Sequence, residues 1–171
     1  MSQAAALPDV IRDFERVDAA VVEQAARFPS SILADVAGRR GALHGRIAPL
    51  SPSMRFAGPA LTVEVRPGDN LMIHAAVEQT EPGDLLVVTT TSPSIDGAFG
   101  DLFATALKAR GVRGLVTTTG VRDVADLRAM GFPVWSAAVS AQGSVKATAG
   151  AVNVPIAIGG QVVHAGDAVV A

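Results

Sequence analysis

Residues 100–123 read GDLFATALKARGVRGLVTTTGVRD, and this stretch decides the fold. Its first half, 101–110, has the apolar spacing of an amphipathic helix, and Gly111 is a residue that commonly ends helices. Its second half contains an apolar strand at 114–119. The stretch between the two ends is long enough to run down a helix and back up a strand. The charged residues at its two ends therefore return to the same edge of a sheet.

The flanking segments repeat this alternation of strand and helix. Because crossovers of this length join parallel strands by right-handed connections, the middle of the chain predicts an α/β fold with a central βαβαβ unit. The predicted strands are 58–65, 84–90, 114–119 and 133–139, and the predicted helices are 69–79, 101–110 and 122–130. Outside this unit we predict helices at 9–28 and 30–38, loops at 39–54 and 91–100, and short β segments in 144–171.

The length and the low charge content suggest one domain that forms oligomers. We treat 1–171 as a single domain, with 1–54 as a helical and loop extension packed on it. Charged residues make up 18% of the chain, against about 25% in average soluble domains. A surface poor in charge is suited to subunit contacts, although an Ala- and Val-rich composition without a special interface explains the same value. We expect a homo-oligomer.

The composition excludes several classes of partner and site. The net charge of −2, the lack of a Lys/Arg cluster and the absence of Tyr argue against a nucleic-acid partner. The chain has no Cys, which excludes disulfides and thiolate metal sites. The first residues lack the basic and apolar regions of a signal peptide, and no long uncharged apolar run predicts a membrane span. We therefore expect a cytoplasmic protein with no membrane partner.

Charged residues follow two neighbouring predicted strands. Asp101 comes after strand 84–90 and its loop, and Arg122 and Asp123 come after strand 114–119. The carboxyl ends of parallel strands are where open α/β sheets bind ligands. An arginine there offers a planar fork for a carboxylate, and the two aspartates offer oxygen ligands suited to Mg²⁺ or Mn²⁺. The pattern favours a site for a small anionic substrate and a divalent cation.

The start of helix 101–110 adds backbone donors to this edge. The N–H groups of Leu102 and Phe103 lie in its first turn, where they have no intrahelical partner and can hold a carboxylate. Gly100 lets the backbone approach a ligand closely. Taken singly, each charged residue is better explained as a helix cap or as part of a surface ion pair. For the whole set, spacing alone leaves this explanation and a ligand site both open.

The order and spacing of these residues resemble a known family. Gly-Asp, twenty residues, then Arg-Asp with Asp126 three positions later resembles the metal-dependent (class II) pyruvate aldolases, the RraA-like family that also contains the regulator of ribonuclease E activity A. Over roughly residues 55–171 the chain is similar to one branch in particular, the 4-carboxy-4-hydroxy-2-oxoadipate and 4-hydroxy-4-methyl-2-oxoglutarate aldolases. The motifs that carry this similarity are PGDNLMIHAAVEQ (67–79), PGDLLVVTTTSPSIDGAFGDL (82–102), ARGVRGLV (109–116), GVRDV (120–124), MGFPVWSAAVSAQGSVKATAG (130–150) and VNVPI (152–156).

The resemblance implies a fold, an assembly and a reaction. The fold is a swivelling β/β/α-type sandwich that assembles as a homotrimer or a dimer of trimers, with sites between subunits. The reaction is retro-aldol cleavage of a 4-hydroxy-2-oxo acid to pyruvate and a second keto acid, with oxaloacetate decarboxylase activity through the same pyruvate enolate. The substrate is then a small anionic keto acid, and the cofactor is Mg²⁺ or Mn²⁺.

The resemblance also implies roles for single residues. Asp123 matches the direct metal ligand, and Arg122 matches the residue that binds a substrate carboxylate or oxygen. Asp101 matches the residue that holds a metal-bound water and relays protons. Asp126 either supports the start of the following helix or orients Arg122, and both roles stay open.

Three further residues are expected to contact the substrate. Asn70 and His74 match polar residues near the pocket, and Lys146 lies in another matching stretch. A lone His beside apolar neighbours is also commonly a packed residue, so this alternative stays open for His74. Lys146 can in principle form a Schiff base, but its stretch contains no paired base, which favours the metal-dependent route.

Two other functions have been attached to the same family. A non-catalytic, protein-binding regulator of ribonuclease activity would share the fold and need no metal, but it gives no reason for the Asp101, Arg122 and Asp123 set. A methyltransferase would need the Gly-rich turn and acidic residue of an adenosyl site, which we do not find. The sequence departs from some relatives at TTTG, 117–120, where they carry an acid or Asn, and the acid-rich segment that the resemblance implies after Ala171 is not in the printed sequence.

Overall fold

A nine-stranded mixed sheet forms the centre of the structure, a computed structural model that describes residues 9–171. Residues 1–8, which belong to the predicted N-terminal extension, lie outside the described residues. In chain order the elements are β1 (Asp9–Val10), α1 (Ala19–Ala25), α2 (Ser30–Val36), β2 (Ala48–Pro49), β3 (Ala57–Val65), α3 (Leu71–Val77), β4 (Leu85–Thr90), β5 (Gly97–Phe99), α4 (Asp101–Ala109), β6 (Gly114–Val121), α5 (Val124–Ala129), β7 (Val134–Val139), β8 (Ala151–Val152), β9 (Ile156–Ile158), β10 (Gln161–Val163) and β11 (Ala168–Val170).

Four parallel strands form the middle of the sheet. β3, β4, β6 and β7 lie side by side in that order, with Leu86 of β4 paired between Leu61 of β3 and Leu115 of β6. Because α3, α4 and α5 connect these strands, the predicted α/β class and its central strand-helix alternation are confirmed. β8 and β1 extend the sheet beyond β3, the antiparallel β2 closes it beyond β7, and β11 pairs antiparallel with the start of β3.

The central sheet carries a different layer on each face. Side chains alternate along β4, so Leu86 and Val88 belong to the apolar cluster that packs against the helices. Leu85 and Val87 belong to a second cluster, which includes Ile156 of the hairpin formed by β9 and β10. Helices on one face and a two-stranded sheet on the other give the β/β/α-type sandwich that the resemblance implied.

The N-terminal segment differs from the helix predicted at 9–28. β1 pairs in parallel with β8, and α1 begins only at Ala19, where the side chain of Asp18 caps it. Between β1 and α1, the guanidinium of Arg16 bonds both carboxylate oxygens of the buried Asp84 at 2.8 and 3.0 Å. The prediction was wrong because helical spacing of apolar residues does not reveal partners that lie far along the chain.

Smaller differences concern the ends of the central strands. β5 lies within the loop predicted at 91–100. The Gly, Ser and Pro residues of this segment are typical of a loop and do not predict a strand. β6 continues to Val121, and α5 begins at Val124 rather than at residue 122. The short β segments predicted in 144–171 are confirmed by β8 to β11. No helix within residues 9–171 has both the length and the apolar character needed to cross a membrane.

Candidate functional site

The strand β5 delivers Gly100 and Asp101 to the end of β6. It pairs in parallel with the last residues of β6, and the N–H of Arg122 donates a hydrogen bond to the carbonyl of Phe99 at 2.9 Å. The structure thus brings the Gly-Asp pair and the Arg-Asp pair to one edge of the sheet. A short strand, rather than a free loop, fixes their relative position.

The carboxylate of Asp123 lies over the N-terminus of α4. Its Oδ2 accepts a hydrogen bond from the N–H of Asp101 at 3.3 Å and lies 3.4 Å from Nε of Arg122. Asp123 has a φ of 55°, in the left-handed region where Asn and Asp are enriched among non-glycine residues. Both contacts use Oδ2, so within residues 9–171 Oδ1 stays open to a ligand. Asp126, which we considered as a partner for Arg122, is exposed on α5 instead.

Gly100 is needed because the side chains of Asp123 and Arg122 meet at its position. A Cβ there would lie 2.2 Å from Oδ2 of Asp123 and 3.1 Å from Cγ and Nε of Arg122. Its φ of −152° is extended backbone that any residue adopts. The requirement for glycine is therefore steric, and it arises from the contact that holds the Asp123 carboxylate on the helix start.

A pocket of about 440 Å³ opens beside this contact. It lies between α3, the start of α4, the end of β6 and the segment 144–146, and its size suits a small ligand. Asp101 and Asp123 are not on its lining but adjoin it through Gly100 and Arg122. Seven predicted residues do line it: Asn70, His74, Gly100, Leu102, Phe103, Arg122 and Lys146.

Two residues of the pocket lining contain a buried polar atom without a protein partner. Nδ2 of Asn70 donates to the carbonyl of Ala98 at 3.1 Å, which leaves its Oδ1 unpaired among the described residues, and Oγ of Ser144 is unpaired as well. Such atoms cost about 1–3 kcal/mol each when no partner is present, so a ligand or water in the pocket would supply what they lack. Nothing in the local sequence distinguished Ser144 from an ordinary loop serine.

The described lining of the pocket carries charges of both signs. Arg122 and Lys146 are positive, and Glu78, which no sequence pattern marked, is negative, as are the two aspartates that adjoin the lining. The ring of His74 packs against Phe103 with centroids 4.5 Å apart. Desolvation by such packing, and then the nearby charge of Lys146, lowers the pKa of His74. A neutral imidazole at pH 7 can donate a hydrogen bond to a substrate oxygen without adding a charge.

Asp69 holds the segment that carries Lys146 against the pocket. Its Oδ2 accepts hydrogen bonds from the N–H groups of Ala147 and Thr148 at 2.9 and 2.7 Å, and its Oδ1 accepts one from Leu71 at 2.8 Å. Burial by itself raises the pKa of this carboxyl, but the three N–H donors outweigh burial and lower the pKa. The sequence around Asp69 cannot reveal the bonds to Ala147 and Thr148, because these partners lie far along the chain.

The carboxylate of Asp101 turns back onto its own helix. Its Oδ1 accepts a hydrogen bond from the N–H of Leu102 at 2.8 Å. One of the two N–H groups predicted to hold a substrate carboxylate is therefore already engaged, and a substrate there would have to displace Oδ1. The side chain of Leu102 is 75% exposed and lines the mouth of the pocket.

The donor set fits a hard cation that is held largely by water. Within residues 9–171 no three His, Asp or Glu side chains gather closely enough to form a protein cage around a metal. Asp123 presents its open Oδ1, and Asp101 starts the helix over which that carboxylate lies. Mg²⁺ and similar cations keep several waters and bind through one or two carboxylates together with substrate oxygens. The residues present suit such an ion, and they do not suit a fully protein-ligated Zn²⁺.

Comparison with known proteins points to one family. A family model described as RraA-like, Aldolase/RraA, matches residues 11–171. A protein of Halalkalibacterium halodurans, provisionally named 4-hydroxy-4-methyl-2-oxoglutarate aldolase, is 30% identical over 149 residues, which cover 87% of this chain and 71% of that protein. A Burkholderia multivorans protein with the same provisional name is 32% identical over 131 residues, covering 77% of this chain and 79% of that protein.

A solved structure adds a likeness of fold. RraAS2 of Streptomyces coelicolor, described as an unusual member of the RNase ES inhibitor RraA protein family, superposes with a TM-score of 0.80 at 28% identity. The match covers 92% of this chain and 83% of that one. The sandwich fold implied by the resemblance is therefore confirmed.

Proposed function

The chain belongs to the RraA-like family, and from this premise we propose that it is a divalent-metal-dependent lyase that releases pyruvate from a 4-hydroxy-2-oxo acid. The proposed substrates are 4-carboxy-4-hydroxy-2-oxoadipate and 4-hydroxy-4-methyl-2-oxoglutarate, and oxaloacetate would lose CO₂ by the same chemistry. Two relatives with provisional names for the second activity, at 30% and 32% identity, support the choice of reaction.

One observation carries the proposal. Side chains from α3, α4, β6 and the segment 144–146 converge on a single pocket, and they are the residue types that a polycarboxylate requires. Arg122 and Lys146 offer positive charge from different elements, and Asn70 offers an unpaired buried oxygen to a hydroxyl or a water. An ordinary surface pair would not explain why glycine stands at position 100 against Asp123.

Substrate binding follows from these positions. We assign the pyruvyl end, with its carboxylate and 2-oxo group, to the guanidinium of Arg122, whose side chain is 46% exposed beside the pocket. The distal carboxylate then reaches Lys146 and the neutral ring of His74. Two separated positive groups favour a substrate with carboxylates at both ends over a simple monocarboxylate.

The bond cleavage uses a proton acceptor and a stabilised negative charge. Removal of the proton from the C4 hydroxyl converts it to a carbonyl as the C3–C4 bond breaks, and the electron pair of that bond moves into the 2-oxo group. Asp101, acting through a water, is the proposed proton acceptor and later returns a proton to C3, which gives pyruvate. Arg122 stabilises the charge that grows on the 2-oxo oxygen. A divalent cation held by Asp123, and by Asp101 through water, supplies Lewis-acid polarisation of that group when bound.

Pyruvate release tests the proposal directly. The purified full chain is given each of the two hydroxy-oxo acids or oxaloacetate, and pyruvate is measured by coupled reduction to lactate, once with Mg²⁺ and once with EDTA. We expect turnover with Mg²⁺ and its loss in EDTA. Absence of pyruvate from all three substrates with either Mg²⁺ or Mn²⁺ would contradict the lyase assignment, and full activity in EDTA would contradict the metal requirement.

A second function is favoured by the likeness to RraAS2, whose description places it in an RNase inhibitor family. A protein-binding regulator would act through its surface and would not need the pocket. It predicts inhibition of a ribonuclease by the purified chain, and it predicts that replacing Asp123 leaves that inhibition unchanged. Inhibition together with an absence of pyruvate release would favour this alternative over the lyase.

The low charge content and the family resemblance support assembly as a homotrimer or a dimer of trimers. Leu102 on the pocket lining is 75% exposed, and Val139 at the end of β7 and Val145 in the segment 144–146 are 65% and 60% exposed. Contact between subunits would cover such surface and help to exclude water from the pocket.

A further inference from the structure

The pocket beside Arg122 is a groove between α3 and α4, and its two ends differ in character. Both helices start at the carboxyl ends of the parallel strands and run away from them. They contribute seven lining residues at helical spacing: Asn70, His74, Val77, Glu78, Leu102, Phe103 and Ala106. Because a helix rises 1.5 Å per residue, Glu78 lies about 12 Å further from the strand ends than Asn70.

Both cations of the described lining lie at the strand end of the groove. Arg122 directly follows β6. Lys146 follows Val145, whose carbonyl accepts a hydrogen bond from the N–H of Asn70 at 3.0 Å, at the start of α3. In the proposed binding mode these two cations hold the two carboxylates of the substrate. The third group on C4 of the substrate is then left to enter the rest of the groove.

The other end of the groove is apolar apart from one carboxylate. The rings of His74 and Phe103 meet across the groove, with centroids 4.5 Å apart. Val77 and Ala106 lie one helical turn beyond these two residues, and Glu78 lines the same end. An alkyl group bound there leaves water for an apolar surface, whereas a carboxylate there meets the like charge of Glu78.

No cation of the described lining offsets the charge of Glu78. Its carboxylate forms no ion pair within residues 9–171. Arg110 lies at the C-terminal end of α3, but its Nε donates to Oγ1 of Thr80 at 3.0 Å, and its Nη2 donates to the carbonyls of Glu78 and Thr80 at 3.3 Å each. Arg110 does not line the groove, so its charge mainly offsets the carbonyls at this helix end.

We propose, on the basis of the lyase function proposed above, that this far end is a subsite for an uncharged alkyl group on C4 of the substrate. Glu78 is then the specificity-determining residue that disfavours a carboxylate there. The favoured substrates are 4-alkyl-4-hydroxy-2-oxoglutarates, including members with alkyl groups larger than methyl. Cleavage of such a substrate gives pyruvate and a 2-oxo acid that keeps the alkyl group, while the proton of the C4 hydroxyl is transferred to C3. 4-Carboxy-4-hydroxy-2-oxoadipate carries a carboxymethyl group at C4 and is disfavoured.

Steady-state kinetics on three matched substrates test this subsite. The substrates carry a methyl, a 2-methylpropyl or a carboxymethyl group on C4, and the last two groups have the same size and branching but differ in charge. With the wild-type chain and Mg²⁺, we expect kcat/KM for the 2-methylpropyl substrate to equal or exceed that for the methyl substrate. We expect it to exceed kcat/KM for the carboxymethyl substrate at least about tenfold.

Two matched variants test the role of Glu78. Glu78→Gln keeps the size of the side chain and removes its charge, so it should lower the ratio of the 2-methylpropyl to the carboxymethyl kcat/KM about fivefold. This factor corresponds to the repulsion of two unit charges about 4 Å apart in water. Glu23→Gln makes the same change at an exposed position of α1, outside the pocket, and should keep the wild-type ratio. Both substrates are measured on one preparation, so the fraction of folded protein cancels from the ratio.

Several results would overturn this proposal. Equal kcat/KM for the 2-methylpropyl and carboxymethyl substrates would do so while leaving the lyase function in place, as would an unchanged ratio in Glu78→Gln. Selective loss of carboxymethyl turnover in Arg110→Gln, with turnover of the methyl substrate retained, would show that Arg110 receives the carboxylate and would also contradict the subsite. Absence of pyruvate from all three substrates would overturn the lyase function and the alkyl preference together.

Discussion

Replacing Gly100 with alanine tests whether contact between the two strand ends organises the site. A Cβ at this position would lie 2.2 Å from Oδ2 of Asp123, whereas ordinary van der Waals contact begins at 3.4 Å. The carboxylate or the start of α4 must therefore move by more than 1 Å. That movement breaks the 3.3 Å hydrogen bond from the N–H of Asp101 and shifts Arg122, which the same Cβ would crowd.

The expected effect of Gly100→Ala is larger on the reaction than on folding. Misplacing a reacting group by about 1 Å costs about 10²-fold in rate, so we expect kcat for pyruvate release to fall by about that factor. Overpacking of this kind costs about 1–3 kcal/mol of the free energy of unfolding, which leaves a domain of typical stability folded. Steady-state kinetics and urea denaturation on the same preparation separate the two effects.

A matched control is available at Gly45. A Cβ there would meet nothing within 4 Å, and its backbone is outside the left-handed region, so Gly45→Ala should behave as the wild type in both measurements. A kcat of Gly100→Ala near that of the wild type would contradict this expectation. In that case the Asp123 carboxylate either has room that the structure does not give it or plays no part in turnover.

Three more predictions concern Arg122, Asp69 and the assembly. Arg122→Lys keeps the charge but loses the planar fork, so kcat should fall by about 10²–10³, and near wild-type kcat in steady-state assays would mean that the arginine is structural. The pKa of Asp69 is lowered in the folded protein, so its bonds stabilise the fold above the unfolded-state pKa and cease to do so as the pH falls through the lowered value. Asp69→Asn should therefore lose about 1–3 kcal/mol at neutral pH and flatten the acid side of the stability profile in urea denaturation, and an unchanged profile would contradict this. Light scattering at micromolar concentration should give a mass of at least three chains, and a stable monomer would count against the proposed assembly.

The position of the site could be predicted from the sequence because it depends on strand ends. Alternating strands and helices fix the parallel order, and parallel order brings the residues after β4 and its loop to those after β6. Local signals sufficed for this step: the apolar run at 114–119, the helix pattern at 101–110 and Gly111 between them. The roles assigned to Asp101, Arg122 and Asp123 came from the resemblance and stay predictions.

Features that depend on partners far along the chain could not be predicted. The segment before α1 has the apolar spacing of a helix. It is not helical in the structure, where β1 pairs with β8 and Arg16 bonds to Asp84. Oδ1 of Asp69 accepts a bond from the nearby Leu71, but its Oδ2 binds Ala147 and Thr148, which lie far along the chain. The left-handed conformation of Asp123 has no marker in the sequence, because Asp adopts several backbone conformations.

In the proposed reaction, the Asp123 carboxylate binds a cation that pyruvate release requires. A comparison of Asp123→Ala with Asp126→Ala in the coupled assay, at saturating substrate and ordinary Mg²⁺ levels, tests this requirement. Asp126 lies three residues later on the same turn and is exposed. Its replacement by alanine therefore removes the same charge without changing the site. We predict that Asp123→Ala abolishes pyruvate release while Asp126→Ala retains it, and equal activity in the two variants would contradict the account.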